Sequence, residues 1–476
     1  MFLIPLYTSV LLPAQLGYWE ALLLTATLVS TISAHGITSA LMWTLKTGGA
    51  HSKGELSQEE SKRIISAAVG WAMASAFVIC GTGMLLATQL VELTTELPGQ
   101  NRILILLLGA QALRIITYPA EGVLKLRFQS LPIVFMNFGE FFVQLTGTYL
   151  ALKVWNLGLE GMAWAALVAA GLRLILAYIF LPELRTARFS PRIMKPLVRY
   201  GLPLLPAALS AIVLSLSDRR FLIGYGMTEE NGLYAYGDKW ARIVEFGLVV
   251  PLASMWPAVF YNMAKDSDAK AQFARVATLF CGVAGTLAFA ITMMGPAITR
   301  LFDTSATHVF AGAAGPIGVL TAGYTVLGLN EVARVGFQIK GRTHGTALSM
   351  VLAALLNLAL NALLIPRFGA MGAAWATFVA YFSAVAFSLY LSRNIYRQRW
   401  EYRRLLHVAL VFVGGAWAVS LWGPPEHTVA GFWTRLAAIA AAPLLLLMTG
   451  FLRPHEWDEL RLRLKGLLQR RMSRGE

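Results

Sequence analysis

The chain has 476 residues, of which 57% are hydrophobic and 14% charged, with a mean hydropathy of +0.60. About a quarter of a soluble globular protein is Asp, Glu, Lys and Arg, so this composition excludes that class and indicates a polytopic membrane protein. The formal net charge is +15, but the basic residues are spread over loops such as Arg185 to Arg199 and Arg393 to Arg404, a pattern that suits anionic lipid and not nucleic acid.

In chain order, Phe2 to Leu12 is apolar but shorter than the 17 to 25 residues, roughly, of a spanning helix, and reads as half of a first helix. Thirteen full-length apolar runs follow, near 18–44, 64–88, 103–124, 132–152, 161–181, 201–224, 232–261, 276–298, 309–331, 345–365, 370–392, 405–422 and 432–452. If the loop from Lys46 to Arg63 is cytoplasmic, the cytoplasmic loops and tail collect 29 Lys and Arg, against five on the other side: Arg102, Lys153, Arg300, Arg367 and Arg435. That asymmetry satisfies the positive-inside rule and predicts fourteen crossings with both termini cytoplasmic. The tail from Pro454 to Arg474 places Trp457, Leu460, Leu464, Leu467 and Leu468 on one face and reads either as an interfacial helix or as a solvated tail. Cys80 and Cys281 both fall in apolar runs, so neither a disulfide framework nor a metal site is expected, and no cofactor motif is present.

An internal repeat sets the architecture. LGLEGMAWAALVA (Leu157 to Ala169) and FGAMGAAWATFVA (Phe368 to Ala380) agree at seven of thirteen positions, 211 residues apart. An even number of helices per unit preserves orientation, so the expected fold is all-α: two pseudo-symmetric six-helix lobes related by an axis along the membrane normal, plus two C-terminal helices. The expected division is 1–181 for the first lobe, 182–200 for a basic linker, 201–392 for the second lobe, and 393–476 for the last two helices and a basic tail.

Seven charges interrupt the apolar runs between Gly201 and Tyr261: Asp218, Arg219 and Arg220, then Asp238, Lys239, Arg242 and Glu245. A charge at bilayer depth costs between ~2.5 and more than 10 kcal/mol, so such residues face a polar cavity or pair with one another. Asp238, Arg242 and Glu245 fall at i, i+4 and i+7 and share a helix face, with Lys239 about 100° away. Four cations against three anions leave a surplus of one, even if Asp238 pairs with Arg242 and Asp218 with Lys239. In the first lobe, Arg114 and Arg173 lie near mid-membrane and Glu140 shares a face with Gln144, so the arginines read as a second cationic contact or as partners of Glu140. His35 is a candidate proton relay or a packed core histidine. Asn357 and Asn361, at i and i+4, read as interhelical glue. Pro203, Pro206, Pro251 and Pro257 invite helix kinks.

Connections are short, leaving no room for a nucleotide-binding domain. No GxxxxGK[ST] phosphate loop occurs, and no loop carries paired acid and base groups, so neither ATP-driven pumping nor an enzyme is expected. IPLYTSVLLPAQLGYWE (Ile4 to Glu20), RYGLPLLPAALS (Arg199 to Ser210), SDRRFL (Ser217 to Leu222), NGLYAYGDKWA (Asn231 to Ala241) and MWP (Met255 to Pro257) resemble the Wzx-type polysaccharide and O-antigen flippases. Those belong to the multidrug/oligosaccharidyl-lipid/polysaccharide (MOP) exporter superfamily. The resemblance covers most of the chain from Ile4 to about Asn394, and its departure is the half-length first helix. It implies a MATE-like bundle around a cationic cavity in the bacterial inner membrane. It further implies alternating-access flipping of an undecaprenyl-diphosphate-linked oligosaccharide from the cytoplasmic to the periplasmic leaflet, beside a polysaccharide polymerase and glycosyltransferases.

A diphosphate headgroup needs cations at depth, which Arg242, Arg219, Arg220, Lys239, Arg114 and Arg173 would supply. Asp218, Asp238, Glu245, Glu140 and His35 are then the coupling or charge-pairing candidates. A peptidoglycan-precursor flippase would present the same residues. A drug/cation antiporter of the superfamily would favour carboxylates instead, and a membrane glycan polymerase or ligase is the alternative of another class.

Overall fold

The computed structural model describes residues 13–47, 57–94, 101–186, 190–301, 312–425, 428–454 and 456–458. Among these the regular structure is entirely helical, and ten helices are long and apolar enough to cross a membrane. Each of the thirteen expected full-length segments overlaps a helix. Phe2 to Leu12 and the tail beyond Asp458 lie outside the described residues.

The first lobe begins with α1 (Pro13–Ala34) and α2 (Ile37–Thr47), which form one crossing broken at His35 and Gly36, both with positive φ. Helix α3 (Gln58–Ser75) opens with a capping box in which Ser57 accepts from the Glu60 N–H and Glu60 accepts from the Ser57 N–H. It runs on through a π-turn at Ala76–Cys80. Helices α4 (Asn101–Leu126), α5 (Ser130–Tyr149) and α6 (Gly158–Phe180) complete the lobe. Its core joins Trp19 and Leu22 of α1 to Leu104 and Leu107 of α4 and Met162 of α6.

A short amphipathic helix, α7 (Pro191–Gly201), leads into α8 (Leu205–Gly224) through a 3₁₀ turn at Leu202–Leu204 that contains Pro203. The next crossing is α9 (Thr228–Val244), a π-turn at Glu245–Val249, and α10 (Val250–Met263). The π-turn directly precedes Pro251, which has no N–H to offer the preceding turn, and a wider turn accommodates that loss. Helices α11 (Ala269–Leu301), α12 (Ala314–Ala333) and α13 (His344–Ser392) follow. The 49 residues of α13 contain a kink at Gly369 (φ 52°, ψ −130°), where two segments were expected from the sequence. The Glu230 carboxylate caps the resumed helix by accepting the Ala370 N–H at 2.8 Å.

The repeat is visible in the backbone. Gly158 and Gly369, 211 residues apart, both adopt positive φ, 58° and 52°, at the start of an alanine-rich helix. The break at Gly36 and the π-turn containing Gly247 are separated by the same 211 residues. The two lobes meet at the end of the bundle that carries Thr47 and Met263. There Trp43 stacks on Tyr200 at 4.8 Å, and the Tyr200 and Tyr261 hydroxyls lie 3.1 Å apart. Lys46 Nζ donates to Asn262 Oδ1 at 2.9 Å, and the Thr343 hydroxyl donates to the Tyr200 carbonyl at 2.8 Å. The closest backbone approach sets Gly201 against His35 and Gly36; a Cβ on Gly201 would stand 2.5 Å from the His35 carbonyl oxygen, so no larger residue fits.

Helices α14 (Tyr402–Trp422) and α15 (Val429–Met448) dock on α11, where Phe412 and Phe451 lie over Gly285 and Gly282. Their ends are tied by Glu456, whose carboxylate accepts from Arg404 at 2.8 and 3.2 Å, from the Arg453 N–H at 2.8 Å and meets Arg275 at 3.4 Å. Burial opposes ionisation of Glu456, yet the Arg453 N–H and the Arg404 guanidinium outweigh it and hold the carboxyl below its ordinary 4.5. A lowered folded value means that this latch is fully formed above the unfolded pKa and is lost as pH falls through the folded one. The E456Q variant should lose about 2 kcal/mol at neutral pH, read as a lower melting temperature in detergent, with the difference from wild type shrinking below about pH 4.

Candidate substrate site

The seven charges separate into two hubs and a free pair. Successive side chains on a helix point about 100° apart, so Asp218, Arg219 and Arg220 on α8 leave in three directions. Asp218 turns into the lobe and is 2% exposed. It meets no cation among the described residues; its carboxylate accepts from Tyr234 of α9, from Asn361 Nδ2 at 2.7 Å and from Thr377 Oγ1 at 2.7 Å, both on α13. The alternative Asp218–Lys239 pairing is not formed among the described residues, because Asp218 faces α13 while Lys239 points off the shared face of α9. Ser217 donates to Asn357 Oδ1 at 2.7 Å, and Asn361 Nδ2 lies 3.2 Å from the same oxygen, so the asparagine pair does bind helix to helix. Asn361 Oδ1 is buried in this cage without a hydrogen-bond donor.

Asp238 is the second hub. Arg242 Nε lies 2.9 Å and Arg219 Nη2 3.0 Å from its Oδ2, while the Tyr324 hydroxyl of α12 donates to Oδ1 at 2.6 Å. Arg242 also pairs with Glu245 at 2.9 Å and lies over the Tyr324 ring, 5.5 Å from its centre. The i, i+4, i+7 spacing thus yields a continuous pair of ion pairs, as the expected Asp238–Arg242 contact requires. Arg219 remains 39% exposed and its Nε has no hydrogen-bond partner among the described residues. Arg220 and Lys239 are exposed and make no ion pair or hydrogen bond among the described residues. Tyr234, Tyr324 and Thr377 were not singled out from the sequence; Tyr234 carried a signal, lying four residues before Asp238 on the same face.

In the first lobe, Arg173 of α6 is saturated. Its guanidinium donates to Thr117 at 3.0 Å, Asn137 at 2.7 Å, Glu140 at 2.9 Å and Glu121 at 2.9 Å. Arg114 pairs with the other Glu140 oxygen, and Lys125 meets Glu121 at 2.7 Å. Gln144 does not join this network; its amide donates to Thr148 at 3.2 Å. His35 is buried at the α1–α2 break, where its Nε2 accepts the Trp71 indole N–H and its Nδ1 faces the Ile32 carbonyl at 3.3 Å. An indole only donates, so this geometry holds a neutral imidazole with the proton on Nδ1. The described residues contain no group of three or more His, Cys, Asp and Glu placed to hold a metal ion.

A family model of polysaccharide biosynthesis proteins matches residues 9–306. The chain belongs to that family. No curated protein matches its sequence. Among solved structures, a mutant of the MATE transporter VcmN from Vibrio cholerae is 15% identical, covering 80% of this chain and 88% of its own, with a TM-score of 0.68. The lipid II flippase MurJ, in an inward closed conformation, is 11% identical over 94% of both chains, with a TM-score of 0.60. A Pyrococcus furiosus transporter of the MOP superfamily, described as having a binding pocket of reversed polarity, is 16% identical over 80% of this chain and 87% of its own, at 0.64. This polysaccharide biosynthesis protein thus has the two-lobed fold of MOP-superfamily membrane transporters.

Removing the central carboxylate takes the ion-pair partner from the half-exposed Arg219 and leaves Arg242 with Glu245 alone. The D238N variant should lose about 1–3 kcal/mol, whereas R220Q or K239Q should change stability by less than about 0.5 kcal/mol; thermal unfolding in detergent measures both.

Proposed function

We propose that the chain is a flippase that moves an undecaprenyl-diphosphate-linked oligosaccharide from the cytoplasmic to the periplasmic leaflet of the bacterial inner membrane by alternating access. It would serve surface polysaccharide synthesis alongside a polymerase and glycosyltransferases, with both termini cytoplasmic. The observation that carries this reading is the cationic excess at α8 and α9. Arg220 and Lys239 are unpaired among the described residues, and Arg219 is only partly satisfied. Phosphate oxygens are the natural acceptors for such donors, and Arg242, held by two carboxylates, would back them. Arg114 and Arg173, bound up with Glu140, would shape the first-lobe wall of the cavity more than grip the headgroup. Membership of the polysaccharide biosynthesis family supports the saccharide part of the cargo.

Asp218 is the coupling carboxylate in this reading. Among the described residues it is buried without a cation and the neighbouring Asn361 Oδ1 lacks a donor, an arrangement suited to exchange of a proton or small cation. Asp238, Glu245 and Glu140 are engaged in ion pairs, and His35 is held neutral by Trp71. A peptidoglycan-precursor flippase is the second reading, favoured by the match to MurJ over 94% of both chains. Its cargo shares the lipid diphosphate.

In cells that depend on this chain for surface polysaccharide, the R219Q/R220Q/K239Q variant should reduce polymer output at least tenfold while remaining folded in the membrane; unchanged output would refute the headgroup role. Rescue of a strain lacking its lipid II flippase, with no rescue of a polysaccharide-flippase mutant, would transfer the assignment to the second reading. D218N should leave the fold intact and abolish the dependence of flipping on an ion gradient, measured in vesicles.

A further inference from the structure

Among the described residues the partly or fully buried Arg114, Arg173, Arg242, Arg334 and Arg404 all meet carboxylates. Lys195 and Arg199 are exposed on α7. Neither has an ionic or hydrogen-bonding partner among the described residues, and both line one open surface groove of about 430 Å³ with Trp71, Pro191, Met194 and Val198.

The sequence explains how this arises. Pro191 fixes the first turn of α7, whose buried face is Met194, Leu197 and Tyr200, leaving Arg192, Lys195 and Arg199 exposed. Lys195 and Arg199, at i and i+4, sit on the same side, and the groove lies between that side and Trp71 of α3. The Trp71 indole is fixed because its N–H is already donated to His35. The result is an apolar floor beneath two cationic side chains, at the end of the bundle where Tyr200 stacks on Trp43.

We propose that this groove is a binding site for an anionic phospholipid of the adjoining leaflet, with its phosphate on Lys195 and Arg199 and an acyl chain across Trp71 and Val198. An apolar floor disfavours a free phosphate ion, and two cations match one phosphodiester with charge to spare. The site is distinct from the cluster assigned to the cargo, since Arg199 and Arg219 stand about 30 Å apart along the α7–α8 path at ~1.5 Å per residue. Because Gly201 crosses His35 and Gly36 immediately beyond Arg199, a lipid seated here braces the junction between the lobes.

The test titrates detergent-purified full-length protein with phosphatidylglycerol and counts bound lipid by native mass spectrometry, with melting temperatures recorded alongside. K195Q/R199Q should bind about thirtyfold more weakly, since each basic residue near a surface contributes about a factor of five. R192Q, which removes an exposed charge that does not line the groove, should bind as wild type, and R199K should retain binding where R199Q weakens it about fivefold. Phosphatidylcholine should bind wild type no better than phosphatidylglycerol binds the double variant. Equal binding by K195Q/R199Q, or an equal loss in R192Q, would overturn the site. Displacement of phosphatidylglycerol by an equimolar polyprenyl diphosphate would give the groove to the cargo and overturn the proposed occupant.

Discussion

The second lobe is organised around the need to neutralise one carboxylate in a low-dielectric interior. Asp238 is almost fully buried, and it is tolerated there because donors from three helices converge on it: Arg219 from α8, Arg242 from its own α9 and Tyr324 from α12. A buried ion pair adds little net stability compared with well-packed apolar side chains, but a buried charge left alone is severely destabilising. The contact therefore acts as a constraint. It restrains the rotation of α8 and α9 about their axes, in an arrangement where Asp218 turns inward while Arg220 and Lys239 stay exposed.

The first lobe meets the same constraint with the opposite sign at its centre. There the hub is a cation, Arg173, ringed by Glu121, Glu140, Asn137 and Thr117. The two halves share a backbone plan, seen in the positive-φ glycines Gly158 and Gly369, but not a charge pattern. Packing through small residues allows this, because alanine-lined faces of α6 and α13 bring helices together whatever the polar groups beside them. One lobe buries its arginines in complete networks, and the other leaves cations over.

The lobes are joined where glycine meets glycine. Gly201 and Gly36 permit a backbone crossing that no side chain could enter, and the aromatic and amide contacts of Trp43, Tyr200, Tyr261 and Asn262 close the same end of the bundle. Both helices depart from regular α-helical geometry at equivalent positions near mid-length, at Gly36 and at the π-turn before Pro251. Such interruptions survive in a membrane only where neighbouring protein satisfies the freed groups.

Much of this fold was legible in the sequence because hydrophobic length is a local signal, and because a gapless repeat reports a shared backbone directly. Contacts along a single helix were legible for the same reason: the spacing of Asp238, Arg242 and Glu245 dictated their pairing, and that of Asn357 and Asn361 their shared face. Contacts between helices were not. Asp218 is held by Tyr234, Asn361 and Thr377, the last 159 residues away, and Arg173 by residues on α4 and α5. The sequence by itself determined which charges interrupt the apolar segments and that cations outnumber anions among them by one. Only the tertiary structure decided which of them pair, because helix rotation and depth are set by packing summed over many small contacts, none of which has a periodicity that a single segment can display.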